Sequence, residues 1–411
     1  MIEQDLGSVE YVSNQFGKFY STGAQCVDAP PEIKHREFGF LSFGGRAMFR
    51  HLGFEVIEEL RGYLRNYSPA HSYFSAAYYN KPRASMVEKG WIGADLIFDI
   101  DADHFVLSCQ KIHDRWTCKA CGEAGKGHPP ERCPGCGKAT YFLENWICGN
   151  CLDAAKYEAQ KLIDMLIQDF GFQPSELSVN FSGNRGYHVH VRSPVAKELD
   201  QLARREVVDY ILGIGIEAQY QGLTPRHSGG GSMLERGGWR GRTIRALYDF
   251  IGKSTPDEIK ALRLSRNTTR DLVVEKDKIL SSLMNQHPSR IVRYIDKKSM
   301  GNLLNVAVEE QASAIDTVVT TDLKRLIRLP NTLHGKTGWL TQNVTIEDLP
   351  DYDPLTKAVA FKEGHKKIYI KHAPEISLQG ESYGPFKEET QELPMAVAMF
   401  FLCRKSARVV N

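Results

Sequence analysis

Between Ala94 and Asp103, apolar and acidic residues alternate with period two. That spacing predicts a strand over 92–101, with Leu96, Phe98 and Ile100 on one face and Ile97, Asp99, Asp101 and Asp103 on the other. Strands are also expected at 73–79, at Leu177–Phe181, at Tyr187–Val191 and around Lys367–Lys371. Ser182-Gly-Asn-Arg-Gly186 joins the middle two as a hairpin. Helical spacing predicts a helix over 48–67, lined by Met48, Leu52, Val56, Leu60 and Leu64, and a longer one from Asp153 to Phe170 that stops at Gly171. Residues 197–300 are rich in Leu, Ile, Glu, Lys and Arg at helical spacing, interrupted over Gly222–Gly241. From about Ile315 strand and turn patterning returns, with Met395–Leu402 a clear apolar element. Thr321 or Asp322 reads as the N-cap of a short helix that Pro330 ends. Strands alternating with helices place the chain in the α/β or α+β class.

Composition bounds this picture without changing it. The 411 residues are 42% hydrophobic and 25% charged, with a net charge of +2, as in an ordinary globular protein. A polyanionic partner is not demanded, so any basic surface is local. No 18-residue apolar run and no charged-then-apolar leader stand out, and the expectation is a cytoplasmic protein without a membrane span.

The cysteines do change it. Six of the nine form the pairs Cys118/Cys121, Cys133/Cys136 and Cys148/Cys151. Cys-x-x-Cys pairs sit on knuckle turns, and two such pairs close a tetrahedral zinc site. Six thiolates exceed one site, so which four bind is left open, with a second site completed by His113 or His128 the less favoured arrangement. Cys26, Cys109 and Cys403 read as small buried hydrophobes.

Three segments carry candidate chemistry. Asp99 and Asp101 share a strand face, where like charges repel unless a cation lies between them, and a pair of hard divalent ions suits phosphoryl or nucleotidyl transfer. On the hairpin, Ser182, Arg185 and His188 offer a hydroxyl, a planar fork and an imidazole to phosphate oxygens, with His190 sharing the face of His188. In 316–338, Asp316 is a candidate third carboxylate, Arg328, His334 and Lys336 form a cationic cluster, and Asp322 reads as a helix cap. The loop from Gly222 to Arg245, with Arg226, Arg236, Arg240 and Arg242 against Glu235, is either a basic site for template phosphates or a solvated loop. A Walker-type phosphate loop is missing, which argues against a P-loop ATPase.

In this order and separation the three segments resemble the catalytic small subunit of archaeal and eukaryotic replicative DNA primases. The resemblance rests on Phe98-Asp-Ile-Asp101, on Ser182-Gly-x-Arg-Gly-x-His188, and on Asp316 followed by Arg328 and His334. Asn184 departs from the Arg of eukaryotic members, and Arg328 stands where some members have Lys. The resemblance implies a primase catalytic fold of mixed sheets flanked by helices, in 1–195 and 301–411, with a zinc module at 113–152 and a helical insertion at 196–300. Asp99, Asp101 and Asp316 are then ligands of two magnesium or manganese ions. Ser182, Arg185, His188, Arg328, His334 and Lys336 grip the incoming nucleoside triphosphate, and Cys148 and Cys151 are the safest zinc ligands. It further implies short RNA primers, with DNA also allowed, made on single-stranded DNA in an archaeal cell. The partners implied are a large subunit with an iron–sulfur cluster, as a heterodimer, and a replication polymerase. The alternatives are a repair primase-polymerase and a non-catalytic zinc-ribbon nucleic-acid-binding protein. Asp103 is read as a strand-end residue outside the site.

Overall fold

The computed structural model describes residues 5–45, 47–217, 237–284, 291 and 293–410. In chain order the strands are β1 (Arg36–Leu41), β2 (Phe49–Leu52), β3 (His71–Tyr79), β4 (Trp91–Ala94), β5 (Leu96–Asp101), β6 (Arg115–Cys118), β7 (Ala124–Lys126), β8 (Tyr141–Glu144), β9 (Leu177–Phe181), β10 (Gly186–Val191), β11 (Leu326–Arg328), β12 (Gln342–Val344), β13 (His365–Ala373), β14 (Ile376–Leu378), β15 (Glu381–Tyr383), β16 (Phe386–Pro394) and β17 (Ala407–Val409). The chain divides into two units, one of Met1–Ala159, Pro174–Arg204 and Ile315–Asn411, the other of Gln160–Gln173 and Arg205–Ala314.

In the first unit one sheet runs β11-β3-β1-β2, with β4 on the far end of β3, and a second runs β12-β9-β10-β5. The sheets stand among helices as expected, and every pairing among the described strands is antiparallel, which places the chain in the α+β class. The register of β5 on β10 sets Leu96, Phe98 and Ile100 opposite Val191, Val189 and Tyr187, a fully buried apolar face. The other face sets Ile97 opposite His190 and Asp99 opposite His188. His190 stacks on Phe74 of β3 with ring centroids 6.0 Å apart, which brings the two sheets together. The remaining elements include the sheet β16-β13-β17 under the helix Met395–Cys403, whose side chains are buried from Ala396 onward, and a small sheet β7-β6-β8.

The second unit is helical. Ile244, Leu247, Ile251, Leu272, Ile279, Leu303 and Leu304 form its core. Arg242, 3% exposed, is locked between Asp169 at 2.6 Å and Asp164 at 2.7 Å.

Several expectations need correction. The stretch 48–67 is not one helix: Phe49–Leu52 pairs with β1, and the helix starts at Ile57. Pairing with a buried strand outweighs the local periodicity, since Phe49 and Arg50 stay exposed in β2. The short helix near 320 spans Thr317–Thr321, capped by Asp316 through Val318 N at 2.8 Å and Val319 N at 3.3 Å. Asp322 lies at its C-terminal end, and 326–328 is strand β11. Of the expected basic loop, 218–236, with Arg226, Glu235 and Arg236, lies outside the described residues. Arg240, Arg242 and Arg245 are on the helix Gly238–Lys253, where Arg242 is committed to its two aspartates. Among the described residues no helix is long and apolar enough to cross a membrane.

Candidate active site

β5 carries Asp99 and Asp101 at its C-terminal end, and Asp316 arrives from a distant part of the chain. Its backbone N–H donates to the Asp99 carbonyl at 2.8 Å, so the start of the 317–321 helix is seated on β5. Asp101 Oδ1 accepts from the Asp103 amide at 2.9 Å, and Asp316 Oδ1 caps its own helix. Each of these two carboxylates therefore keeps Oδ2 for another partner. Burial first, and then the charges of Asp101 and Asp316, push Asp99 up to about 7. Three carboxylates this close disfavour one another's charge, which is the electrostatic demand that a cation would satisfy.

The hairpin depends on two glycines. A Cβ on Gly186 would lie 2.0 Å from the Ile100 carbonyl, so only glycine lets β10 pair this closely with the acidic strand. Gly183 takes φ +79°, and a Cβ there would lie 2.8 Å from the Cβ of His334. Ser182 Oγ accepts from the amides of Gly186 at 3.2 Å and Asn184 at 3.4 Å, and its own proton has no acceptor among the described residues. His188 Nε2 is 3.4 Å from Asp99 Oδ1, while its buried Nδ1 has no partner among the described residues. Burial, then Arg328 and Arg325, push His188 down to about 3, so it is neutral. Among the described residues neither ring nitrogen of fully buried His190 has a polar partner, which fits its packing on Phe74.

Near the carboxylates lies a cationic group, with Arg328 in electrostatic reach of Asp99 and Lys336 of Asp101. Arg328 on β11 donates to His71 Nδ1 at 2.5 Å and stacks over Tyr73 at 4.5 Å. The Gly335 amide donates to the same His71 nitrogen at 3.2 Å. Two donors on Nδ1 make it an acceptor, so the His71 proton is on Nε2. His71 is pushed down to about 2 by burial, then by Arg328 and Lys336, which keeps it in that neutral role. His334 is buried with its ring 4.8 Å from that of His71. Thr337 Oγ1 donates to the Gly183 carbonyl at 2.6 Å and thereby ties the His334–Lys336 loop to the hairpin. Lys336 keeps an exposed surface, but partial desolvation of its ammonium, then the charges of Arg328 and Arg404, lower its pKa.

Sequence reasoning missed His71, Tyr73 and Arg404. Arg404 stacks on Trp146 at 5.4 Å and donates to the Asn145 carbonyl. No local spacing signals these residues, because strand pairing and the C-terminal helix bring them in. Asp103 needs correction too: it is no mere strand end, since its carboxylate pairs with Arg185 and accepts from Asn145 Nδ2 at 2.8 Å. Arg185 itself is buried, donates to the Trp146 carbonyl at 3.0 Å, and lies 3.8 Å from Asp101.

The metal-ligand geometry is sharper than expected from sequence. Two clusters form, Cys118/Cys121/Cys133/Cys136 and Cys109/His113/Cys148/Cys151, each with its ligand atoms within 4.8 Å of one another. The sulfurs of Cys118 and Cys136 are 3.6 Å apart, those of Cys121 and Cys133 3.5 Å, and those of Cys148 and Cys151 3.7 Å. These gaps exceed a disulfide bond and approach the edge of about 3.8 Å of a tetrahedron with Zn–S bonds of about 2.3 Å. Cys148 and Cys151 therefore pair with neither of the other knuckles. Their partners are His113 and Cys109, which is a ligand candidate and not simply a buried hydrophobe. His128 is 2.8 Å from Gln110 Oε1 and outside both clusters. Cys26 is exposed, contrary to expectation, and Cys403 is buried as expected.

Comparison with known proteins agrees in extent. A family model described as DNA primase small subunit matches residues 143–346. DNA primase small subunits from Methanothrix thermoacetophila (34% identical over 97% of this chain and 98% of the relative), Methanococcoides burtonii (31%, 98% and 99%) and Natronomonas pharaonis (32%, 96% and 96%) are similar over nearly their whole length.

Proposed function

The chain belongs to the archaeal-type DNA primase small subunit family, and from that premise we propose that it is the catalytic subunit that makes short primers on single-stranded DNA from nucleoside triphosphates. The observation that carries this reading is the seating of Asp316 on the Asp99 carbonyl, which gathers three carboxylates near the Arg328, His334 and Lys336 group. Bound at Asp99, Asp101 and Asp316, two magnesium or manganese ions would activate the 3′-hydroxyl and neutralise the leaving pyrophosphate. The new bond joins that oxygen to the α-phosphorus, and the α–β phosphoanhydride bond breaks.

The chain's own groups bind and orient. Arg328 and Lys336 offer fixed positive charge to the triphosphate, with Arg185 as a further guanidinium beside Asp101. Ser182 donates its unpartnered proton, and the neutral imidazoles of His188 and His334 contribute dipoles without proton chemistry. Both cysteine clusters are read as structural zinc sites, since four protein ligands leave no open position for a reactant. The protein partners implied by the family are a large subunit, as a heterodimer, and a replication polymerase.

The test is primer synthesis on unprimed single-stranded DNA with labelled ribonucleotides. Products on unprimed template support the reading, and extension of pre-annealed primers alone overturns it in favour of a repair primase-polymerase. Within that assay, Arg328→Ala is expected to raise the nucleotide KM by roughly 10- to 100-fold, the worth of one charge-assisted hydrogen bond. His71→Ala should raise it by about tenfold, since the guanidinium loses its main acceptor. An unchanged KM in Arg328→Ala removes Arg328 from the triphosphate site.

A further inference from the structure

The Cys109/His113/Cys148/Cys151 cluster is joined to the candidate nucleotide site by an unbroken line of short polar contacts. His113 presents Nε2 to the sulfurs, 3.5 Å from Cys151, and Nδ1 to Asp114 Oδ1 at 2.7 Å. With a metal on Nε2, Nδ1 carries the proton and donates to the carboxylate, an arrangement that fixes a ligating imidazole. Asp114 is buried, and the same Oδ1 accepts the Trp146 amide at 2.7 Å. The Trp146 carbonyl accepts from Arg185, and neighbouring Asn145 holds both Asp103 and Arg404. Two residues further on, Cys148 is itself a ligand. Asn145–Trp146 is thus tied to the metal site at one end and to Arg185, Asp103 and Arg404 at the other. The ribbon β7-β6-β8 loops out between Asp114 and Trp146, so the Trp146–Asp114 hydrogen bond also closes its neck.

We propose that the metal at Cys109, His113, Cys148 and Cys151 sets the position of Arg185 through Asp114 and the Trp146 peptide, and thereby the affinity for the triphosphate, whereas the ribbon metal does not. The proposal rests on the functional reading above. Asp114 acts as a positioning residue, since it touches neither nucleotide nor catalytic carboxylate.

The test measures two quantities that need no turnover: zinc per chain by atomic emission, and binding of a non-hydrolysable nucleoside triphosphate with magnesium by equilibrium dialysis. Wild-type protein should carry two zinc ions and bind the nucleotide. Cys148→Ser and Cys133→Ser should each lose one zinc ion, but only Cys148→Ser should weaken the nucleotide Kd, by roughly tenfold. Asp114→Ala, which keeps all four ligands, should weaken it similarly, and Asp114→Asn should recover part of the loss, because its Oδ1 still accepts the Trp146 amide. That graded pair separates positioning from general misfolding of a ligand variant. Unchanged affinity in Cys148→Ser after loss of its zinc overturns the coupling, as does equal weakening in Cys133→Ser. Wild-type protein that binds no nucleotide overturns the functional reading, and the coupling with it.

Discussion

Asp99→Asn is expected to abolish primer synthesis and, in the same protein, to stabilise the metal-free fold at neutral pH. The loss of activity follows from removing one of the three carboxylates that would hold the proposed ions, and a fall of about a thousandfold or more corresponds to ~4 kcal/mol of transition-state stabilisation. The gain in stability follows from linkage. The folded-state pKa of Asp99 is pushed up to about 7, above an unfolded value of about 3.9. Between those values the folded state binds more protons than the unfolded state, so this group's contribution to stability falls as pH rises from about 4 to 7 and stays low above that. A shift of this size is at most about 4 kcal/mol, and because the carboxylate is 22% exposed, screening reduces it to about 2 kcal/mol. Asparagine removes the charge and with it the penalty. Thermal melts without added magnesium or manganese, and with no chelator that would strip zinc, should show Asp99→Asn several degrees above wild type at pH 7.5 and level with it near pH 4. A variant that melts lower at pH 7.5, or one that still makes primers, defeats this account of the acidic cluster.

If the Cys118/Cys121/Cys133/Cys136 cluster holds the proposed zinc, stripping that zinc should unfold the ribbon, residues 115–144, as a unit. Its three strands are three or four residues long, and its buried side chains amount to Trp116, Cys118 and Cys133. Trp116 packs against Tyr141 at 5.4 Å and directly over Gly125, where a Cβ would lie 2.6 Å from the indole. Phe142 and Leu143 stay exposed. So small a core does not offset the backbone entropy of some thirty residues, whereas a structural zinc site contributes about 10 kcal/mol or more. Hydrogen exchange read by mass spectrometry should show β6, β7 and β8 losing protection on chelation, while β5 and β10 keep theirs. Retained protection in β6 after zinc removal would falsify the metal-dependent fold.

Much of the candidate active site is legible in the sequence because its parts are local. The alternation around Asp99 and Asp101, the two glycines that let the hairpin turn and approach β5, and the run from Asp316 to Lys336 each fit within a few dozen residues. The structure gathers them by strand pairing whose register follows from the apolar face of β5 and β10. The missed residues share one feature. His71 and Tyr73 act through β3 pairing with β11, 250 residues away, and Arg404 comes from the last turn of structure before β17. The expected helix fails over 48–56 for the same reason, since β1 supplies a partner that a local reading does not contain.

The cysteine clusters draw the line most clearly. The sequence by itself determined that six cysteines sit in knuckle pairs suited to zinc, that Asp99 and Asp101 share a strand face, and that the chain resembles a primase catalytic subunit. Only the tertiary structure decided which knuckle pairs with which, because a Cys-x-x-Cys turn sets two ligands locally and leaves the other two to the fold. The ribbon closes Cys118/Cys121 with Cys133/Cys136, and the turn before the 149–168 helix meets Cys109 and His113 instead. The same long-range closure decided that Asp103 pairs with Arg185 and that His71 holds Arg328. Each is a contact between residues whose local sequence is silent about the other.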